Sequence, residues 1–340
     1  MKQFKRIAVV ILNWNGEKHL KTFLPSVVEY SSAPNIDIIV ADNGSTDESI
    51  MMLKNEFNTV KIIGLDKNYG FAGGYNKAIE QLSNEYIILL NSDVEVTPHW
   101  IDPVIDLMES NDLIVAAMPK IRAFKAKDNF EYAGAAGGFL DILAYPFCRG
   151  RILQNIESDH HQYDINSEVF WATGACMFIK NKAFKEAGGL DDKFFAHMEE
   201  IDLCWRLKNR GYKIMFCPDS IVYHLGGATL DYGNPRKTYL NFRNSLFTMH
   251  KNLSLFIFMR LMLLRFPLDM LAIAHLTYNK QFKAAFNIIK AYIDFINTKK
   301  VRDYYAQSMS QLTGVYRGSI LLAYYSGIKT FAQLNMKKIK

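Results

Sequence analysis

Asn91 and Asp93 are the first residues equipped for chemistry, in LLNSDVEV at residues 89–96. An apolar strand delivers Asp93 into a turn, with Asn91 two residues earlier. Oxygens at i and i+2 on a turn can share a hard divalent cation, Mg2+ or Mn2+, which bridges to a diphosphate. Such a cation neutralises charge that builds on a departing nucleotide. An isolated N-x-D also serves as a turn or helix cap, so its place after a strand is what gives it weight. A second group lies in FFAHMEEIDLCWRLKNRGY, residues 194–212. Glu199, Glu200 and Asp202 crowd one helix N-terminus there. The macrodipole favours acids at such a place, but three so close together beside aromatics exceed what a cap requires. A carboxylate in this position can be the general base that deprotonates an acceptor hydroxyl. Arg206, one turn after Asp202, is spaced to pair with it.

The elements around these groups alternate. Residues 7–12, IAVVIL, are a continuous apolar run of the kind that forms a buried parallel strand. Residues 17–30 follow a helical pattern with Leu20, Phe23, Leu24 and Val27 on one face. A second strand spans Ile36 to Ala41, and Ser45, Thr46, Asp47 and Glu48 offer caps for a helix from about Glu48 to Phe57. Val60 to Leu65 reads as a third strand, Gly70 to Leu82 as a helix, and Tyr86 to Leu90 as a fourth strand. This alternation predicts an α/β fold with a doubly wound, mainly parallel sheet flanked by helices. Ligands in such sheets sit beyond the carboxyl ends of the strands, where Asn13, Asp42, Asp66 and Asp93 fall. Residues 120–170 read as loops and short strands. KIMFCPDSIVYH, residues 213–224, reads as strands after the acidic helix.

Several chemistries are unsupported. N-W-N-G stands after the first strand instead of G-x-G-x-x-G, and no G-x-x-x-x-G-K-[ST] occurs. No Ser-His-Asp set or His-rich cluster suggests a hydrolase.

The ordered motifs resemble family 2 inverting glycosyltransferases of the GT-A fold, in particular the bacterial rhamnosyltransferase-like branch that builds O-antigens and capsules. The resemblance covers roughly residues 5–230. VVILNWNG resembles the family's first strand and nucleotide-contacting loop, which implies donor roles for Asn13 and Asn15. VADNGSTDES resembles the second strand end, whose Asp contacts base and ribose, here Asp42. DKNYGFAGGYNKAI resembles the stretch beside the donor, with Asn68, Gly70, Phe71, Gly73 and Asn76. NSDVEV resembles the D-x-D metal motif, implying donor contact at Ser92 and Asp93 and metal contact at Asp93 and Asn91. FFAHMEEIDLCWR resembles the E-D-x-D-L segment that supplies the base, implying Glu200, then Glu199, with Asp202 more structural. His224 in VYHLGG matches a His that approaches the metal or diphosphate. Trp171 and the Thr173-Gly174-Ala175 turn match the wall of an acceptor pocket. Asn91 and Glu200 depart from the Asp found in many relatives, although the carboxylate chemistry survives at Glu200.

The resemblance implies transfer from a nucleoside diphosphate sugar, dTDP-rhamnose or a UDP-sugar, to a lipid-linked glycan acceptor. A catalytically silent nucleotide- or glycan-binding module is the alternative; its support is the substitutions at Asn91 and Glu200. A processive polysaccharide synthase would carry Q-x-x-R-W and several spanning helices, which are absent.

Composition divides the chain. Hydrophobic residues make up 49% and charged residues 22%, which excludes disorder as the chain's ground state. Residues 231–340 hold 17 Lys+Arg against 4 Asp+Glu, whereas residues 1–230 hold 23 against 30. Two jobs are expected of so asymmetric a chain. The sequence is therefore divided into a catalytic domain, residues 1–235, and a basic, apolar helical region, residues 236–340. The first divides into a nucleotide-sugar half, 1–97, and an acceptor half, 98–235. LSLFIFMRLMLLRFPLDMLAIAHL, residues 253–276, is long enough to span a bilayer. Arg260, Arg265 and Asp269 interrupt it, and Pro267 should kink it. Helices lying in an anionic membrane interface are the expectation, with Lys280, Lys283, Lys290, Lys299, Lys300 and Arg302 toward headgroups. A soluble helical bundle or homo-oligomer contact is the alternative, and nucleic acid is not the expected partner. Cys148, Cys176, Cys204 and Cys217 form no C-x-x-C pair, which points to a reducing compartment. No export signal is read at the N-terminus, so a cytoplasmic protein on the inner membrane face is expected.

Overall fold

A computed structural model describes residues 6–132, 134–226, 235–299, 301–303, 308–335 and 338–339. β1 (Ile7–Asn13), β2 (Ile36–Asp42), β3 (Lys61–Gly64) and β4 (Tyr86–Asn91) alternate with α1 (Glu17–Tyr30), α2 (Ser49–Glu56) and α3 (Gly70–Glu80). The apolar runs of β1 and β4 are buried, as strands covered by helices on both faces must be. α1 buries Leu20, Phe23, Leu24 and Val27, the stripe its 3.6-residue period sets. β1 pairs in parallel with β2 and β4, and β2 with β3. The register sets Asn13 beside Asp42 and Leu12 beside Asn91, which gathers polar residues at one edge.

Next come β5 (Val94–Val96), α4 (Asp102–Glu109), β6 (Ile114–Ala123), β7 (Ala126–Phe130), β8 (Gly138–Asp141), β9 (Pro146–Cys148), β10 (Arg151–Ile152) and β11 (Asn155–Ile156). β12 (Ser167–Val169), β13 (Cys176–Lys180), α5 (Asn181–Glu186), α6 (Glu199–Asn209) and β14 (Lys213–His224) complete this half. Among the described residues the main sheet runs β12-β14-β6-β13-β4-β1-β2-β3. β13 is antiparallel to β4 and β6, while β14 is parallel to β6. β14 is one long strand whose ladder shifts register between Cys217 and Ile221. Pro218 falls inside that shift and has no N–H to give. Beyond it β14 pairs with β5, which sets His224 opposite Val94 and beside Asp93.

The C-terminal stretch forms α7 (Pro235–Asn252), α8 (Leu255–Tyr278), α9 (Phe282–Asn297), β15 (Val315–Tyr316) and α10 (Ile320–Tyr325). Three details differ from the sequence reading. α8 runs on as a single helix through Pro267. Arg265 and Asp269, read as interruptions of the apolar run, face protein. Arg265 Nη1 donates to Leu143 O at 2.9 Å and Nη2 to Ser245 Oγ at 2.9 Å. Asp269 accepts from the Tyr145 and Tyr292 hydroxyls at 2.9 and 2.7 Å. The chain beyond α9 also returns to the acceptor half. β15 pairs in parallel with β8, closing a small sheet ordered β11-β10-β9-β8-β15. Ile320 N donates to Asp141 at 2.9 Å, and the Phe331 ring packs on Phe139, Phe147 and Tyr163. A two-residue strand and one anchoring ring carry no periodicity, so pattern reading does not find them. Lys300 lies outside the described residues, and Arg302 turns inward to His250. No helix among the described residues is long and apolar enough to cross a membrane. All four cysteines are buried and free.

Candidate active site

The edge at the ends of β4 and β14 opens into a cavity of about 450 Å³. The turn after β4 presents Asp93, and the end of β14 presents His224. His224 Nε2 lies 3.2 Å from Asp93 Oδ1, its Nδ1 lies 3.5 Å from Glu131 Oε2, and Asn91 Nδ2 is 3.4 Å from Nε2. Burial works against charge on Asp93, but the His224 hydrogen bond holds its carboxyl below the usual range. Burial likewise opposes an imidazolium at His224, but Asp93 and Glu131 on either side raise it to about 10. Glu131 gave no signal in the sequence; only its place beside β7 shows its role.

The first acids of α6, Glu199 and Glu200, line the same cavity. Glu199 is 4% exposed. Burial, then the charge of Glu200, pushes its carboxyl well above the usual range. Burial raises Glu200 to about 7, although its own N–H and those of Ile201 and Gly174 donate to it and pull the other way. One Glu oxygen of each residue has no partner in the protein. Environments that push two acids apart in this way separate their roles. Asp202 is different: it accepts from Arg206 Nε at 2.9 Å, Asn252 Nδ2 at 2.8 Å and Lys251 Nζ at 3.1 Å. It braces the helix, in line with the spacing to Arg206.

The other expected residues divide into two sets. Phe71, Asn91, Asp93, Trp171, Gly174, Glu199, Glu200 and His224 share the cavity. The Phe71 ring lies so close to Gly174 that a Cβ there would meet it at 2.9 Å. Trp171 is both wall and core, since it lines the cavity while its indole N–H donates to Phe139 O at 3.1 Å. Asn13, Asn15, Asp42, Asn68 and Gly70 build the loops beside it. Asn13 Nδ2 donates to Asp42 at 3.0 Å and Ser45 N donates to the other Asp42 oxygen at 3.0 Å. Asp42 is 1% exposed, and its carboxylate braces the two loops. Asn15 accepts from Thr46 N at 2.7 Å. Asn68 Oδ1 accepts from Gly70 N at 2.8 Å and from Asn43 Nδ2 at 3.1 Å. Gly70 has φ +72 and faces Phe195 closely, which excludes a side chain. Ser92 is half-buried in the turn between β4 and β5. Asn76 points elsewhere: both ends of its amide bond the backbone of Leu190, at 2.7 and 3.0 Å. It ties α3 to the turn before α6, and its amide is spent there. The C-terminal region adds to the cavity what sequence reading assigned to the membrane, with Lys237, Asn241 and Ser245 from α7, Arg265 from α8 and Ile320 from α10.

Among the described residues no three His, Cys, Asp or Glu side chains form a ready metal cage. Asp93 and His224 do fit a cation that takes its remaining ligands from phosphate and water, as Mg2+ and Mn2+ do. The buried Asp93 carboxylate opens onto the cavity, and a cation there would take the place of the His224 proton.

The sequence matches the glycosyl transferase family 2 model over residues 8–188. The chain belongs to this family. It is an enzyme that transfers a sugar. An N-acetylglucosaminyl-diphospho-decaprenol L-rhamnosyltransferase of Mycobacterium tuberculosis is 26% identical over 236 residues, 64% of this chain and 75% of that one. A low-salt glycan biosynthesis hexosyltransferase of Haloferax volcanii is 24% identical, over 70% of this chain and 73% of that one. The fold is that of the GT-A enzymes. The structure of GalNAc-T7 with UDP, GalNAc and Mn2+ superposes with a TM-score of 0.56 at 16% identity, over 73% of this chain and 48% of that chain. The mannosyltransferase of Pyrobaculum calidifontis with GDP-Man and Mn2+ gives 0.54 at 10% identity, over 88% and 89%.

Proposed function

We propose that this glycosyltransferase moves one sugar, with inversion, from a nucleoside diphosphate sugar to a lipid-linked glycan acceptor. The observation that carries this is the pair Glu199–Glu200, the first buried and the second half-buried, lining the same cavity as Asp93 and His224. Burial and the charge of Glu200 push the Glu199 carboxyl well above the usual range, whereas Glu200 is raised to about 7, near neutral pH, and Glu200 is the base. It takes the proton of an acceptor hydroxyl. The oxygen attacks the anomeric carbon from the face opposite the diphosphate, and the bond to the diphosphate breaks. A single displacement inverts that carbon. Asp93 and His224 would hold a divalent cation, Mg2+ or Mn2+, whose charge supports the departing diphosphate. Asn13, Asn15, Asp42, Asn68 and Gly70 shape the donor loops. Trp171 and Gly174 wall the acceptor. The Mycobacterium relative acts on a lipid-linked sugar by its name, which favours an acceptor of that class and a dTDP-rhamnose or UDP-sugar donor.

A lipid-linked acceptor brings the enzyme to a bilayer, and the helices are suited to that. Phe282, Phe286, Ile289, Ile293 and Ile296 form one exposed stripe on α9, and Phe256, Met259 and Leu263 another on α8. Lys280, Lys283 and Lys299 are exposed beside them. An apolar face bordered by cations is the pattern that lies in an anionic interface. The reading places the enzyme on the inner face of the cell membrane. A second copy is the competing occupant of this stripe.

The test compares Glu200→Gln, Glu199→Gln and Asp202→Asn in transfer to a lipid-linked acceptor, with nucleotide affinity measured apart. Glu200→Gln should bind donor and lose transfer by roughly 10²–10⁴-fold. Near-normal transfer by Glu200→Gln with a dead, folded Glu199→Gln moves the base by one residue. Near-normal transfer by all three overturns the assignment.

A further inference from the structure

We infer that Asn244, in the C-terminal helix α7, is the positioning residue for the base: its buried amide fixes the turn that aims Glu200 into the cavity. This rests on the reading of Glu200 above. The turn between Phe194 and Met198 is unusual. Phe195, His197 and Met198 have φ of +63, +70 and +74, and Met198 directly precedes α6. Bulky L residues avoid this region and keep it only where their surroundings over-determine it.

Asn244 supplies much of that determination. It is wholly buried. Its Nδ2 lies 3.1 Å from Phe194 O, 2.9 Å from Ala196 O and 2.7 Å from His197 O. Two N–H groups are thus shared among three carbonyls of one turn. Its Oδ1 accepts from Arg243 Nε at 2.9 Å, and Arg243 Nη2 reaches Lys193 O at 2.8 Å and Phe194 O at 3.1 Å. Without the amide, buried carbonyls in this strained turn lose their donor.

The same turn touches the donor side. Phe195 O accepts from Phe71 N at 2.8 Å, and the Phe195 ring lies against Gly70. The turn therefore sets the distance between donor loop and base. The body of α6 is held separately. Asn252 and Lys251 bond Asp202, and Arg206 Nη2 donates to Gly189 O at 2.8 Å. Loss of Asn244 should accordingly loosen the first turn of α6, which carries Glu199 and Glu200, and leave the rest docked.

The experiment is steady-state transfer by Asn244→Ala and Asn244→Ser, alone and in the Glu200→Gln background. In Asn244→Ala, kcat falls at least tenfold, while the donor KM and the affinity for free nucleoside diphosphate move less than twofold. Asn244→Ser keeps one donor and loses less; it carries the same comparisons if Asn244→Ala does not fold. With Glu200→Gln already present, the Asn244 change adds less than twofold, because groups that act as a unit are not additive. A brace that only stabilised the fold would lower both backgrounds alike. Unchanged kcat in the folded variant, or a further tenfold loss in the Glu200→Gln background, overturns the inference. Full transfer by Glu200→Gln alone instead overturns the assignment of the base, which is a separate result.

Discussion

His224 Nε2 lies 3.2 Å from Asp93 Oδ1, and the β5–β14 pairing is what brings the two together. Neither residue alone makes a metal site. Together they offer a carboxylate and an imidazole whose shared proton a cation can replace. Calorimetry of a nucleoside diphosphate should accordingly show tighter binding with Mn2+ than without. Asp93→Ala should abolish that gain. His224→Ala should weaken metal-dependent binding by at least about 10–100-fold, the range already seen for losing a group that only orients a metal ligand. Equal affinity with and without metal in the unaltered protein would refute this.

The pH profile follows from Glu200, which burial raises to about 7. A general base works only when deprotonated. kcat/KM for the acceptor, which at saturating donor reports the donor-bound enzyme, should therefore rise with pH through about 7 and level off above it, losing about tenfold per unit below. A flat profile between pH 5 and 8, measured with donor saturating and acceptor dilute, would contradict the assignment.

Flotation with liposomes addresses the exposed stripes of α8 and α9. The protein should rise with anionic vesicles at low salt and stay down with neutral ones. Phe286→Glu with Ile293→Glu should abolish flotation and leave transfer to a soluble acceptor unchanged. If the pair instead converts a dimer to a monomer in sedimentation, with flotation unaltered, the stripe belongs to a second copy.

Asp269 joins Arg265 and two tyrosine hydroxyls inside the protein. Removing one partner of a buried ion pair leaves an uncompensated charge, at a cost of about 3–5 kcal/mol. Asp269→Ala should lower unfolding free energy in urea by about that amount. A loss below about 1 kcal/mol would mean that Arg265 finds other partners or water.

The donor half was legible because local pattern and tertiary role agree there. The runs around Val9 and Leu89 have to be buried strands, and the alternation then puts Asn13, Asp42 and Asp93 at one edge. The acids of α6 were visible through their crowding. Glu131, Lys237 and Asn244 were not, because each is ordinary in its own stretch and gains its role from an element distant in sequence. Arg265 and Asp269 misled for the same reason. On a helix pattern they look like charges interrupting an apolar face, and only packing against Leu143 and Tyr145 shows which way they turn. Asp42 and Asn76 were found as polar residues near the donor loops, but whether an amide or carboxylate is already spent on a neighbour is a matter of three-dimensional partners.

The pairing of β15 with β8 has a consequence for the chain as a folding unit. The matched family segment ends just after α5, yet Phe139 and Phe147 find their cover in Phe331. A fragment ending before α7 would expose that aromatic patch, leave the β8 edge open to strands of other molecules, and release the turn that Asn244 holds. The last third of the sequence is thus the lid of the acceptor half's core. Synthesis must therefore reach the region of Phe331 before that core can close, so the acceptor half completes its folding late and depends on the chain's far end.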